Sequence, residues 1–247
     1  RNQSIHITMD KKIPKIPNSP DTKYIRHIKI KSEKLSQFWG RPIYLGAAIL
    51  LPAKYDEHPQ VRYPLVIKHG HFSPSITNFR ESPPPAKLKG RRRVFLQQSY
   101  EFYQRWTAED FPRVILAKIQ HPTPYYDDSY GVNSENNGPY GDAILQELIP
   151  YIEKRFRCIG RAWARTLYGG STGGWTALAT QVFYPDAYNG CWAACPDTVD
   201  FCSHILVNLY KDRNMYYRKG PWITYKIPGA RDTQGNVIST NEAQNHR

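Results

Sequence analysis

The six residues Gly169-Gly170-Ser171-Thr172-Gly173-Gly174 constrain this chain more than any other stretch. Before them stands the strand-type run Ala164-Arg165-Thr166-Leu167-Tyr168, and after them the helix-type run Trp175-Thr176-Ala177-Leu178-Ala179. Four glycines around a serine and a threonine, with a different element on each side, describe a strand that turns sharply into a helix. The central residue of such a turn is strained and its neighbours must be small. Ser171 is that centre and the candidate nucleophile, with Gly169 and Gly173 as the small neighbours of the GxSxG pattern. The string alone also fits a flexible loop or a phosphate-cradling turn, but a linker would carry neither flanking element.

The elements around the turn follow from hydrophobic periodicity. Residues 1–23 are rich in Lys and Pro, with Pro14, Pro17 and Pro20 at every third position, which favours an extended lead-in. Strands are expected over 25–31, 42–52 and 64–70, then a helix over 94–106 and a strand over 114–119. Residues 121–139 form a Tyr-, Asp-, Asn- and Gly-rich loop long enough to suggest function. Tyr125, Tyr126, Tyr130 and Tyr140 there suit either stacking on a sugar or phenolic group or the loop's own packing. Ile144, Leu148, Ile152 and Phe156 recur every fourth residue, so a helix is expected there, kinked by Pro150. A strand over 166–168, the turn, a helix to about Phe183 and a strand over 190–194 complete the core at 24–200. Residues 201–247 read as a polar extension with a possible helix over 204–210.

Composition excludes several classes. With 40% hydrophobic residues in 247, the chain can bury a sizeable core, yet no apolar run approaches the roughly 20 residues of a membrane span. The net charge of +13 lies wholly in residues 1–120, with 22 Lys and Arg against 9 Asp and Glu. Its densest cluster, Lys87-Leu88-Lys89-Gly90-Arg91-Arg92-Arg93, reads as a loop entering a helix. No nucleic-acid fold signature accompanies it, so a solvated face outweighs a polyanion-binding module. Cys158, Cys191, Cys195 and Cys202 match neither a disulfide framework nor a zinc ligand set. Most read as core thiols, with Cys195 and Cys202 as a buried free pair. There is no dinucleotide fingerprint, P-loop lysine or metal-spaced ligand set, so no cofactor is implied.

The order strand, strand, strand, helix, strand, helix, strand, serine turn, helix, strand is that of an α/β-hydrolase sheet, with the nucleophile after the fifth strand. Longer stretches carry the resemblance further. They are Leu35-Ser36-Gln37-Phe38-Trp39-Gly40-Arg41-Pro42 leading to Leu45-Gly46-Ala47, Tyr63-Pro64-Leu65-Val66 running into His69-Gly70-His71-Phe72, Glu147-Leu148-Ile149-Pro150-Tyr151-Ile152-Glu153 ahead of Arg157, and the serine turn followed by Tyr184-Pro185-Asp186. On these the chain resembles the putative-esterase branch of the α/β hydrolases, which includes esterase-D-like, feruloyl-esterase-like and enterochelin-esterase-like enzymes. The resemblance implies a three-layer α-β-α sandwich with a mixed, mostly parallel sheet, incomplete after the sixth strand.

It also implies a chemistry. Ser171 would attack a carboxylic ester, the backbone N–H of Thr172 and the loop at His71 would form the oxyanion hole, and a small-molecule or carbohydrate-linked ester would be the substrate. A secreted or periplasmic location is slightly favoured by the same resemblance. His69 reads as a strand-end residue satisfied by hydrogen bonds, and His121 as a pocket-lining or turn residue. The family's acid and base follow the nucleophile in the chain. Downstream stand Asp197, Asp200, His204 and His246, of which Asp200 with His204 is the conceivable pair. Four residues apart on one helix, both would share a face, whereas the base must reach Ser171 from a separate loop. The expectation is therefore a truncated hydrolase, weakly active or inactive as it stands, with an unprotected sheet edge. A non-catalytic protein on the hydrolase scaffold and a serine peptidase of the same fold are the alternatives.

Overall fold

The computed structural model describes residues 10, 20–71, 76, 78–202 and 206–245. Strand β1 (Ile25–Ser32) pairs antiparallel with β2 (Ile43–Leu50), from Ile25 opposite Leu50 to Ser32 opposite Ile43. Between them lies a helix that periodicity did not announce, α1 (Glu33–Trp39), started by Ser32, whose Oγ accepts from Leu35 N at 3.2 Å. The chain continues through β3 (Leu65–Lys68), α2 (Gly90–Thr107) and β4 (Ile115–Gln120). Helix α3 is built from Tyr140–Ala143, Ile144–Leu148 and Ile149–Arg155. Strand β5 (Arg165–Gly170), helix α4 (Thr172–Phe183) and strand β6 (Gly190–Ala194) follow.

All six strands form one sheet in the order β1-β2-β4-β3-β5-β6. Strand β2 runs antiparallel to β4, while β3 is parallel to β4 and β5, and β5 to β6. This is the α/β-hydrolase arrangement, with α2 entered through the basic cluster at Gly90. Alternation along the strands builds two cores. Leu45, Ala47, Ile49, Ile67, Ile115, Ile119 and Leu167 point to one face, where they meet Leu35 of α1, Ile144, Leu148 and Ile152 of α3, and Ala177 of α4. On the other face Ala48 and Leu50 meet Trp106, Phe102 and Tyr103 of α2. Among the described residues no helix covers that second face over β5 and β6: Tyr168 and Trp192 are register neighbours and are 39% and 74% exposed.

Pro150 acts differently from a simple kink. The turn before it widens, with Ile149 N donating to Ile144 O five residues back, and the chain stays helical on both sides. A proline lacks an N–H and crowds the carbonyl four residues earlier, and a wide turn accommodates both effects. Glu147, inside this turn, accepts from Ser32 Oγ and from Lys34 N at 3.0 Å, so it finishes the cap of α1. At the far end of α3, Glu153 holds β5: Arg165 Nε donates to Oε1 at 2.6 Å and its NH2 to Oε2 at 2.8 Å.

Beyond β6 two hairpins stand largely exposed, β7 (Tyr217–Lys219) with β8 (Thr224–Lys226) and β9 (Pro228–Arg231) with β10 (Val237–Thr240), before α5 (Asn241–Asn245). The helix expected over 204–210 is not formed in its described part, where 206–210 runs through turns and a bridge. The cysteines also depart from expectation. Only Cys158 is buried, and Cys195 and Cys202 are exposed free thiols rather than a buried pair, because the chain past β6 lies over the surface.

Candidate active site at the strand-to-helix turn

The backbone of Ser171 sits at φ 54, ψ −126, a region costing about 1–3 kcal/mol for a residue with a side chain. It is held there from both sides. Ser171 N donates to Ala194 O at 3.0 Å, and Ser171 O accepts from Trp175 N at 3.0 Å and Asp197 N at 3.3 Å. The turn closes because its flanks have no side chains. A Cβ at Gly169 would stand 2.0 Å from Gly173 O, and one at Gly173 would stand 2.5 Å from His69 O and 3.0 Å from Gly70 Cα. The last contact shows that the end of β3 lies directly against the first turn of α4.

One carboxylate reaches the turn. Ser171 Oγ donates to Asp197 Oδ1 at 3.1 Å, and Thr172 Oγ1 donates to Asp197 Oδ2 at 2.8 Å. Asp200, three residues on, instead accepts from Cys202 N at 2.9 Å through Oδ1, closing its own turn. His204 and His246 lie outside the described residues.

The histidines divide. His71 is exposed, and its Nδ1 shares a hydrogen bond with the buried Asp128 carboxylate. His69 is buried and, against expectation, neither of its ring nitrogens has a hydrogen-bond partner among the described residues. Burial, with a smaller contribution from neighbouring His121, pushes its pKa down to about 3. The His121 ring lies 6.3 Å away and is held by Ser129, Nδ1 to Oγ 2.9 Å; burial lowers its pKa too. Ser129 Oγ also accepts from Gly131 N at 3.1 Å, which fixes the intervening Tyr130 at φ 57.

Tyr130 is the one loop tyrosine of the four that borders the turn. Tyr140 is buried with its hydroxyl on Pro122 O at 2.8 Å, Tyr125 rests on Trp39, and Tyr126 is exposed. The Tyr130 ring meets Trp175 edge to face at 5.3 Å. With Asp197, Thr198 and Phe201 these two rings line a hollow of about 440 Å³ beside Ser171. Trp175, Phe201 and the contact of Asp197 were not singled out by the sequence. Among the described residues no group of three or more His, Cys, Asp and Glu side chains could hold a metal ion, and no helix is long and apolar enough to cross a membrane.

The family model described as Putative esterase matches residues 44–236. The chain belongs to the Putative esterase family. No curated protein matches it. Among solved structures, this family member is similar to a ferulic acid esterase, at 19% identity and TM-score 0.47 over 70% of this chain and 58% of the other. It is also similar to an S-formylglutathione hydrolase from Agrobacterium tumefaciens, at 16% identity and TM-score 0.48 over 75% and 63%. The enterobactin esterase of Shigella flexneri is a third, at 16% identity and TM-score 0.42 over 70% and 36%. The chain thus spans less than two thirds of the length of these structures.

Proposed function

We propose that this esterase-family chain is a serine hydrolase that cleaves a carboxylic ester through an acyl-enzyme at Ser171. The observation that carries the proposal is the strained serine at φ 54 between a parallel strand and a helix N-terminus, inside a family-matched fold. Ser171 Oγ attacks the ester carbonyl carbon while a base takes its proton. The ester C–O bond breaks, the alcohol leaves with a proton, and water then releases the acid by the same route. Thr172 N–H, at the start of α4, and a donor from the loop at His71 would face the developing oxyanion, a role supported by the packing of His69 and Gly70 against Gly173. The substrate would be a small-molecule or carbohydrate-linked ester. Asp200 and His204 are the conceivable downstream pair of the sequence, but Asp200 closes its own turn on Cys202 N, and the proposal does not assign the acid and base roles to them.

Slow turnover by this 247-residue chain is part of the proposal, since among the described residues the Ser171 hydroxyl donates to a carboxylate rather than to an imidazole. That contact also favours the second reading, a non-catalytic binding protein on the hydrolase scaffold. Fluorophosphonate labelling separates the two, because it needs an activated serine. The expected result is labelling at Ser171 that is lost in Ser171→Ala, with weak hydrolysis of p-nitrophenyl acetate lost in the same variant. A folded protein that takes no label would point to the non-catalytic reading.

A further inference from the structure

We propose that the hollow beside Ser171 binds the quaternary or alkylammonium group of its ester substrate. The inference rests on the hydrolase assignment of Ser171 for the word substrate, while the binding site itself is argued from its walls. Those walls are three aromatic rings, Tyr130, Trp175 and Phe201, with Thr198 and the carboxylate of Asp197. A ring face attracts a cation through its quadrupole, and a carboxylate adds a full opposite charge. An anionic group would meet that carboxylate at close range. A neutral acyl group would cover it and leave its charge with only the hydroxyl donors of Ser171 and Thr172. A cation is the ligand charge that both kinds of wall attract.

The hollow is also set up in advance. Tyr130 is held at φ 57 by its neighbours Ser129 and Gly131, which are tied to one another through Ser129 Oγ and to the buried His121. Asp197 is held by two hydroxyl donors, from Ser171 and Thr172. Neither wall group has to be ordered by the ligand, which removes a cost of binding. The position of the charge matters for the chemistry as well. A carboxylate 3.1 Å from the attacking oxygen opposes negative charge developing at the reacting centre, and a cation seated in the hollow offsets it. The ammonium group would then favour the reaction as well as the binding.

The experiment compares choline chloride with its neutral isostere 3,3-dimethyl-1-butanol by isothermal titration of the full chain at matched ionic strength. Choline is expected to bind at least ten-fold more tightly than the isostere. Asp197→Asn should remove that preference and leave binding of the isostere unchanged, with circular dichroism and melting temperature checking that the variant folds. Equal affinities, binding of neither compound, or a preference that survives Asp197→Asn in folded protein would overturn the proposal. The wild-type comparison stands even if the variant does not fold. Choline binding without fluorophosphonate labelling would retain the cation site and reject the esterase, whereas labelling without a choline preference would do the reverse.

Discussion

Gly169 and Gly173 face each other so closely that a Cβ on the first would lie 2.0 Å from the carbonyl oxygen of the second. The obstacle is backbone, so a side chain at Gly169 has to open the turn that carries Ser171. Gly169→Ala is expected to cost at least about 2 kcal/mol, in the range of overpacked sites. Differential scanning calorimetry should show a fall of roughly 4–8 °C in Tm for a domain of this size. Fluorophosphonate labelling of Ser171 should fall with it, and labelling at the wild-type rate would count against the strained turn as the source of reactivity.

The buried His69 makes stability depend on pH. The unfolded chain takes up this proton near pH 6.5, and the folded chain only near pH 3. Between these values the unfolded state binds more protons, so stability is lost as pH falls through the window, and above it the group has no effect. The full difference corresponds to roughly 5 kcal/mol, and about 3 kcal/mol of it is expressed by pH 4.5. Urea unfolding of wild type and His69→Gln at pH 7 and pH 4.5 checks this. The wild type should lose about 3 kcal/mol more than the variant, and parallel losses would contradict the burial of a neutral imidazole.

The Arg165–Glu153 pair joins β5 to the end of α3 with both side chains largely buried. Removing one member leaves the other charge without its partner. Glu153→Ala should therefore cost about 3–5 kcal/mol, and the double variant Glu153→Leu/Arg165→Met should regain most of it. Equilibrium denaturation of the three proteins decides. A single variant as stable as wild type would mean that solvent screens the pair.

The six sheet strands could be located in the sequence because each is a run of apolar or alternating residues bounded by Pro, Gly or polar turns, as at 42–52 and 190–194. Ser171 could be located because four glycines mark where side chains have no room. Helix α1 leaves no periodic signal in the sequence because it is seven residues long and takes part of its cap from Glu147, far along the chain. Nothing local separates Asp197 from Asp200. The choice between them is made by the bend after β6, where Cys195 takes φ 44 and Ala194 O receives Ser171 N. That neither ring nitrogen of His69 has a partner among the described residues is likewise a tertiary property: the neighbouring ring, 6.3 Å away, is that of His121, just past the end of β4.

The wide turn of α3 ties the two ends of the molecule's folding together. Glu147 holds the amide of Lys34 across 113 positions of chain, so the first turn of α1 is completed only when α3 has docked. A seven-residue helix on its own would fray within microseconds. Here its leading amide should instead exchange with deuterium only when the α1–α3 contact opens, which makes one slow proton at Lys34 a reporter on a long-range assembly step.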